Sequence, residues 1–133
     1  MVKTVYNYLE NQVKNADPLD LVVMLYAKAI SCLKISKNVI ESGLNKPEDI
    51  KKKAENLGKA TDIIAYLQGS LNLEKGGDIA RNLNEVYQTL LNELIVANSQ
   101  NDAKKIADSI EILEKLKKAW EEIKCQSQNS KKD

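Results

Sequence analysis

The chain has 133 residues, with 20 basic and 19 acidic side chains and a formal charge of +1. That length suits one domain able to bury roughly two-thirds of its unfolded surface, and the balanced charge gives no electrostatic pull toward nucleic acid or anionic lipid. Histidine is absent and Arg81 is the one arginine, which removes the usual general base, the commonest metal ligand and most of the bidentate recognition of phosphate or guanine.

Residues 1–16 carry Tyr6, Leu9 and Val13 at helical spacing. So short a helix is marginal in water on its own, and the segment is expected to be an arm or cap on the body of the protein. It lacks the apolar stretch of a secretion signal, and nowhere does the chain approach the ~18 apolar residues of a membrane span. A soluble cytoplasmic protein is expected.

Asp17-Pro18 is a helix start, with an acid to cap it and proline at the first position. Two apolar stripes follow, Val22-Leu25-Ala29-Cys32 and Leu19-Val23-Tyr26-Ile30-Leu33. A helix apolar around so much of its circumference is central, or is covered by the arm or a partner. It should end near Ser42-Gly43. Pro47-Glu48-Asp49 opens the second helix, whose core stripe reads Ile50, Ala54, Leu57, Ala60, Ile64, Leu67, Leu71. Ile63 and Tyr66 lie beside that stripe, and Lys51 to Lys53 read as a solvated turn.

Gly76 and Gly77 then make a helix-to-helix reversal, since either accepts positive φ at little cost. The third helix carries Ile79, Leu83, Val86, Leu90, Leu94 and Ala97, with Tyr87, Leu91 and Ile95 widening the face. After a polar turn at 98–102, the fourth carries Ala103, Ile106, Ile110, Leu113, Leu116 and Trp120, flanked by Ile112, Ala119 and Ile123. From Cys125 the periodicity stops. The expected organisation is an arm at 1–16, an all-α antiparallel up-down-up-down four-helix bundle at 17–124, and a disordered tail at 125–133.

Reaction chemistry is missing. No phosphate loop, dinucleotide fingerprint, metal-spaced cysteine cluster or nucleophile elbow occurs, and no enzyme activity, metal or cofactor is expected. Cys32 and Cys125 read as two separate thiols in a reducing compartment. The carboxylates alternate with lysines on helices and read as ion-paired surface. Five tyrosines and no phenylalanine are a less ordinary choice. A phenol suits either a core edge with its hydroxyl in water or a binding groove.

Three separated motifs carry a family resemblance. The first is Tyr8, Asn11, Val13, Ala16 and Pro18, leading into Leu21, Met24-Leu25-Tyr26 and Ala29-Ile30. The second is Glu74-Lys75-Gly76-Gly77, then Ile79-Ala80, Asn82-Leu83 and Tyr87. The third is Leu94, Ala97-Asn98 and Asp102, followed by Ala119-Trp120. In this order and spacing, over about residues 6–123, the chain resembles the flagellin export chaperones of the FliS family. It departs from the usual pattern at Ala27, Asp78 and Gln88-Thr89.

The resemblance implies a cytoplasmic chaperone that binds the C-terminal segment of flagellin, prevents premature polymerisation and assists delivery to the flagellar type III export apparatus. Such a chaperone needs no cofactor, and a monomer is expected over a homo-oligomer. From the secondary stripes and the arm, the candidate partner-binding residues are Tyr8, Val13, Tyr26, Ile63, Tyr66, Tyr87, Leu91 and Ile112. Pro18, Gly76, Gly77, Asn82 and Trp120 are expected to be structural. The competing expectation is a self-associating bundle that buries its surplus apolar surface against a second copy.

Overall fold

In the computed structural model, which describes residues 18–131 with side chains to residue 127, Pro18 opens the first helix as its capping position demands. The helices are α1 (Pro18–Glu41), α2 (Pro47–Gly69), α3 (Gly77–Gln100) and α4 (Ala103–Lys131). No strand occurs among the described residues. The arm at 1–16, with Tyr8 and Val13, lies outside them.

Each boundary has a local cause. Past the end of α1, Gly43 takes φ +102° and its N–H reaches the Ile40 carbonyl, 3.0 Å away. At the start of α2, the Lys46 N–H donates to the Asp49 carboxylate at 3.2 Å. The end of α3 is closed by Asn101 in the left-handed region, φ 52°. Asp102 then caps α4 by accepting from the Lys105 N–H at 3.1 Å.

The helices form a closed ring. α1 packs on α2 and α4, and α3 packs on α2 and α4, while the backbones of the two diagonal pairs stay apart. Lys124 pairs with Asp20, joining the end of α4 to the start of α1. Lys53 of α2 reaches the end of α3. Successive helices therefore run antiparallel, an up-down-up-down four-helix bundle. Leu25, Ala29, Leu33, Leu57, Ile64, Leu90, Leu94, Ile106 and Leu113 are among the side chains filling its centre. α1 is the most deeply embedded helix and α3 the most peripheral.

Several expectations change. Periodicity places Ile50, Ala54 and Ile79 in the core, yet all three are exposed. They sit in the first two turns of α2 or the first turn of α3, where a stripe outruns the neighbouring helices. Leu71 lies past the end of α2 at Gly69. Residues 125–131, read as tail, continue α4.

The Gly-Gly pair does not end α2, which stops seven residues before Gly76. It starts α3, and its two glycines are needed for different reasons. Gly77 has φ +61°, a conformation that L side chains rarely adopt. Gly76 has ordinary φ, but a Cβ there would fall 2.5 Å from the Ala80 Cβ and 2.6 Å from the Asn72 carbonyl oxygen. That same carbonyl accepts the Gly76 N–H at 2.8 Å.

Candidate functional site

No group of three His, Cys, Asp or Glu side chains among the described residues is placed to hold a metal. The surface carries many lysines and carboxylates, several of them ion-paired along single helices, as in Lys37–Glu41, Lys104–Asp108 and Lys115–Glu111. What stands out against it is apolar, and it follows the two flanks of α3.

On one flank, the Gln68 amide of α2 donates to Asn84 Oδ1 and Gln88 Oε1 of α3, both at 3.1 Å. These bonds mark the side of each helix that faces the other. Helical spacing continues the α3 stripe from Asn84 and Gln88 to Leu91 and Ile95. The facing α2 stripe runs Ala54, Gly58, Thr61, Ala65, Gln68. Neither stripe contains a charge. Leu91 is half-buried, and Ile95 is 66% exposed.

On the other flank, Lys105 Nζ of α4 donates to Glu93 at 3.1 Å. The carboxylate raises the Lys105 pKa, chiefly through this hydrogen bond. From that ion pair toward the start of α3, the stripe runs Thr89, Val86, Asn82, Ile79 on α3. On α4 it runs Ser109, Ile112, Leu116, Ala119, Ile123. Ile79, Ile112 and Ile123 are 76%, 39% and 45% exposed. Singly such residues are ordinary on a protein surface; here helical spacing aligns them along one seam. α3 and α4 are also the least closely packed neighbours in the ring.

A third groove differs in kind. Between α1 and α4, about 600 Å³ is lined by Ala27, Ile30 and Ile35 but rimmed by Lys34, Glu114, Lys117, Lys118 and Glu121. Two pairs in that rim are Lys34–Glu114 at 3.9 Å and Lys117–Glu121 at 3.6 Å.

The residues expected to bind a partner do not converge. Tyr26, Ile63 and Tyr87 are buried in the core, a correction to their assignment as groove residues. α2 packs against both α1 and α3, so its buried stripe is broad enough to include Ile63 beside Ile64. The two tyrosines are buried because their hydroxyls satisfy each other. Tyr26 Oη and Tyr87 Oη share a hydrogen bond of 2.5 Å across the bundle, and Trp120 Nε1 donates to Tyr26 Oη at 3.3 Å. Burial pushes both phenols above the ordinary tyrosine range, Tyr87 the further because its hydrogen bond to Tyr26 favours the neutral form. Tyr66 is half-buried one turn beyond Ile63, away from the α3 side of α2. Leu91 lies on the α2–α3 seam and Ile112 on the α3–α4 seam.

Among the expected structural residues, Asn82 is exposed and Trp120 is half-buried. Arg81 pairs with Asp78. Lys53, read as solvated, is buried, and its ammonium donates to the Asn98 carbonyl at 3.1 Å and Asn101 Oδ1 at 2.6 Å. It caps the negative end of α3. Cys32 is buried, which raises its thiol pKa, while Cys125 is exposed.

Comparison with known proteins decides the family. A family model described as Flagellar protein FliS matches residues 1–127. The chain belongs to the FliS family. It is 40% identical over 115 residues to the flagellar secretion chaperone FliS of Vibrio cholerae, a match covering 86% of this chain and 81% of that protein. It is 37% identical over 116 residues to the flagellar secretion chaperone FliS of Salmonella typhimurium, covering 86% and 82%. To that of Bacillus subtilis it is 28% identical over 115 residues, covering 86% and 81%. FliS is a family of chaperones and not of enzymes.

On this FliS chain, the exposed seam residues that sequence reasoning did not single out are Ile79, Ile95 and Ile123. All three extend core stripes, so periodicity counts them as core or core margin. The available signal was position: Ile79 falls two residues after Gly77, in a turn that neighbouring helices do not reach.

Proposed function

We propose that this FliS-family chain is a cytoplasmic export chaperone that binds the C-terminal segment of flagellin along the two flanks of α3. There it holds the segment apart from other flagellin copies and presents it to the flagellar type III export apparatus. The observation that carries this reading is the pair of apolar seams, Leu91 with Ile95 on one side and Ile79, Ile112 and Ile123 on the other. Ile50, Leu73 and Val96 are the other large apolar side chains exposed among the described residues.

An amphipathic segment that self-associates through an apolar stripe is neutralised by covering that stripe. Helix-in-groove docking does this without ATP, at the entropic cost of ordering a disordered chain. No helix among the described residues is long and apolar enough to cross a membrane, in keeping with a chaperone that meets its client in the cytoplasm.

We further propose that the arm at residues 1–16, with Tyr8 and Val13 and outside the described residues, shields part of the apolar surface until the client arrives. The first turns of α1, where Leu19, Leu21, Val22, Val23 and Met24 are all half-buried, are the surface it leads into. Deleting residues 1–14 should change flagellin affinity and leave helicity intact; unchanged affinity would remove the arm from the mechanism.

Co-purification tests the main reading. Full-length flagellin should be retained by the wild-type chain, and flagellin lacking its C-terminal segment should be lost. In sedimentation the chaperone alone should run as a monomer. A tight dimer whose interface includes Ile79 and Ile112 would instead favour the self-associating bundle.

A further inference from the structure

The Tyr26–Tyr87–Trp120 network has more structure than packing requires. Tyr26 is on α1, Tyr87 on α3 and Trp120 on α4, so the network ties together three helices, two of them a diagonal pair whose backbones are not neighbours. Both phenols are buried, and the indole is half-buried. Trp120 sits on the core stripe of α4 and borders the seam: Leu116 is one turn before it and Ile123 one turn after. Its N–H is a donor with a single buried acceptor, Tyr26 Oη, at 3.3 Å. A half-buried tryptophan is the side chain best suited to anchor a partner, provided that its ring is held in one orientation.

We propose that Trp120 is a client-contacting residue of the α3–α4 seam and that Tyr26 is its positioning residue, fixing the indole through the Nε1 hydrogen bond without touching the client. This rests on the chaperone reading above. Tyr87 acts differently. It satisfies the Tyr26 hydroxyl and joins α3 to α1, but makes no hydrogen bond to the indole.

That division of labour makes a matched pair of variants informative. Tyr26→Phe and Tyr87→Phe each remove the same Tyr–Tyr hydrogen bond, so both lower stability. Only Tyr26→Phe removes the indole's acceptor. As Trp120 is the sole tryptophan, its fluorescence reports on this ring alone. With a peptide of the flagellin C-terminal segment as the probe, Tyr26→Phe should weaken binding about three- to tenfold, the usual scale of one hydrogen bond. It should also shift the indole emission, while Tyr87→Phe keeps near wild-type affinity and emission.

If the two variants change affinity equally, or if neither changes it, Tyr26 does not position Trp120 for the client and the proposal falls. If Tyr87→Phe has the larger effect, it falls likewise. Failure of the wild-type chain to bind the peptide at all would overturn the chaperone reading itself, a result separate from these.

Discussion

Two buried polar devices account for residues that composition alone leaves unexplained. Tyr in place of Phe at positions 26 and 87 follows from the hydroxyl pair, which needs two phenols in register across the bundle. Both hydroxyls are held neutral above the ordinary tyrosine range by burial. Their stabilising contribution is therefore complete below about pH 10 and is lost as pH rises through the elevated folded values. Thermal melts at about pH 9 and pH 11 should show a smaller loss for the Tyr26→Phe/Tyr87→Phe double variant than for the wild type. Equal losses would mean that these phenols do not govern alkaline stability. Lys53 is the second device. Lys53→Ala removes the charged donor shared by the Asn98 carbonyl and Asn101 Oδ1 at the end of α3 and should lower stability by about 1–3 kcal/mol in denaturant titration. Lys51→Ala and Lys52→Ala should be near neutral, because both side chains are exposed.

At the scale of elements, the start of α3 separates two uses of glycine that look identical in sequence. Alanine at 77 need only adopt a left-handed conformation, a penalty of about 1–2 kcal/mol that Gly77→Asn should partly relieve. Alanine at 76 forces its Cβ against the Ala80 side chain and a backbone carbonyl. The backbone itself must move, so Gly76→Ala should be the more destabilising in a thermal melt and Gly76→Asn no better. The reverse order would show that left-handed geometry, rather than the close approach, dictates this turn. Helix number, order and direction were legible in the sequence because Pro18, Pro47 and Gly43 punctuate it and the periodicity between them is strong. Helix ends were less so. Periodicity fixes which residues share a face, but not where a neighbouring helix stops covering it, and for that reason it assigns Ile50 and Ile79 to the core. The Tyr26–Tyr87 pair was illegible for a different reason: the residues are 61 apart in the chain, and nothing local signals that two hydroxyls will meet.

For the whole molecule, the ring of four helices is uneven, and the proposed client surface follows from that unevenness. α1 is enclosed on every side that α2 and α4 can reach, whereas α3 leaves aliphatic side chains open along both flanks. Family membership was readable from the Gly-Gly motif and its neighbours, yet the proposed binding surface was not, since choosing the buried face among several apolar stripes needs the packed structure. Leu91→Asp and Ile112→Asp each sit on one seam only and should each weaken flagellin binding. Leu91→Asp should unfold the protein more, because Leu91 packs partly against the core. The most direct measurement is calorimetric titration of intact flagellin into the wild-type chain and into an Ile79→Asp/Ile112→Asp variant, with helicity followed in parallel. The account predicts tight binding to the wild type and at least about a tenfold loss in the variant at unchanged helicity, since charge in an apolar seam leaves a carboxylate desolvated and unpaired. Equal affinity of the two proteins would contradict the assignment of the α3–α4 seam as the place where the client is held.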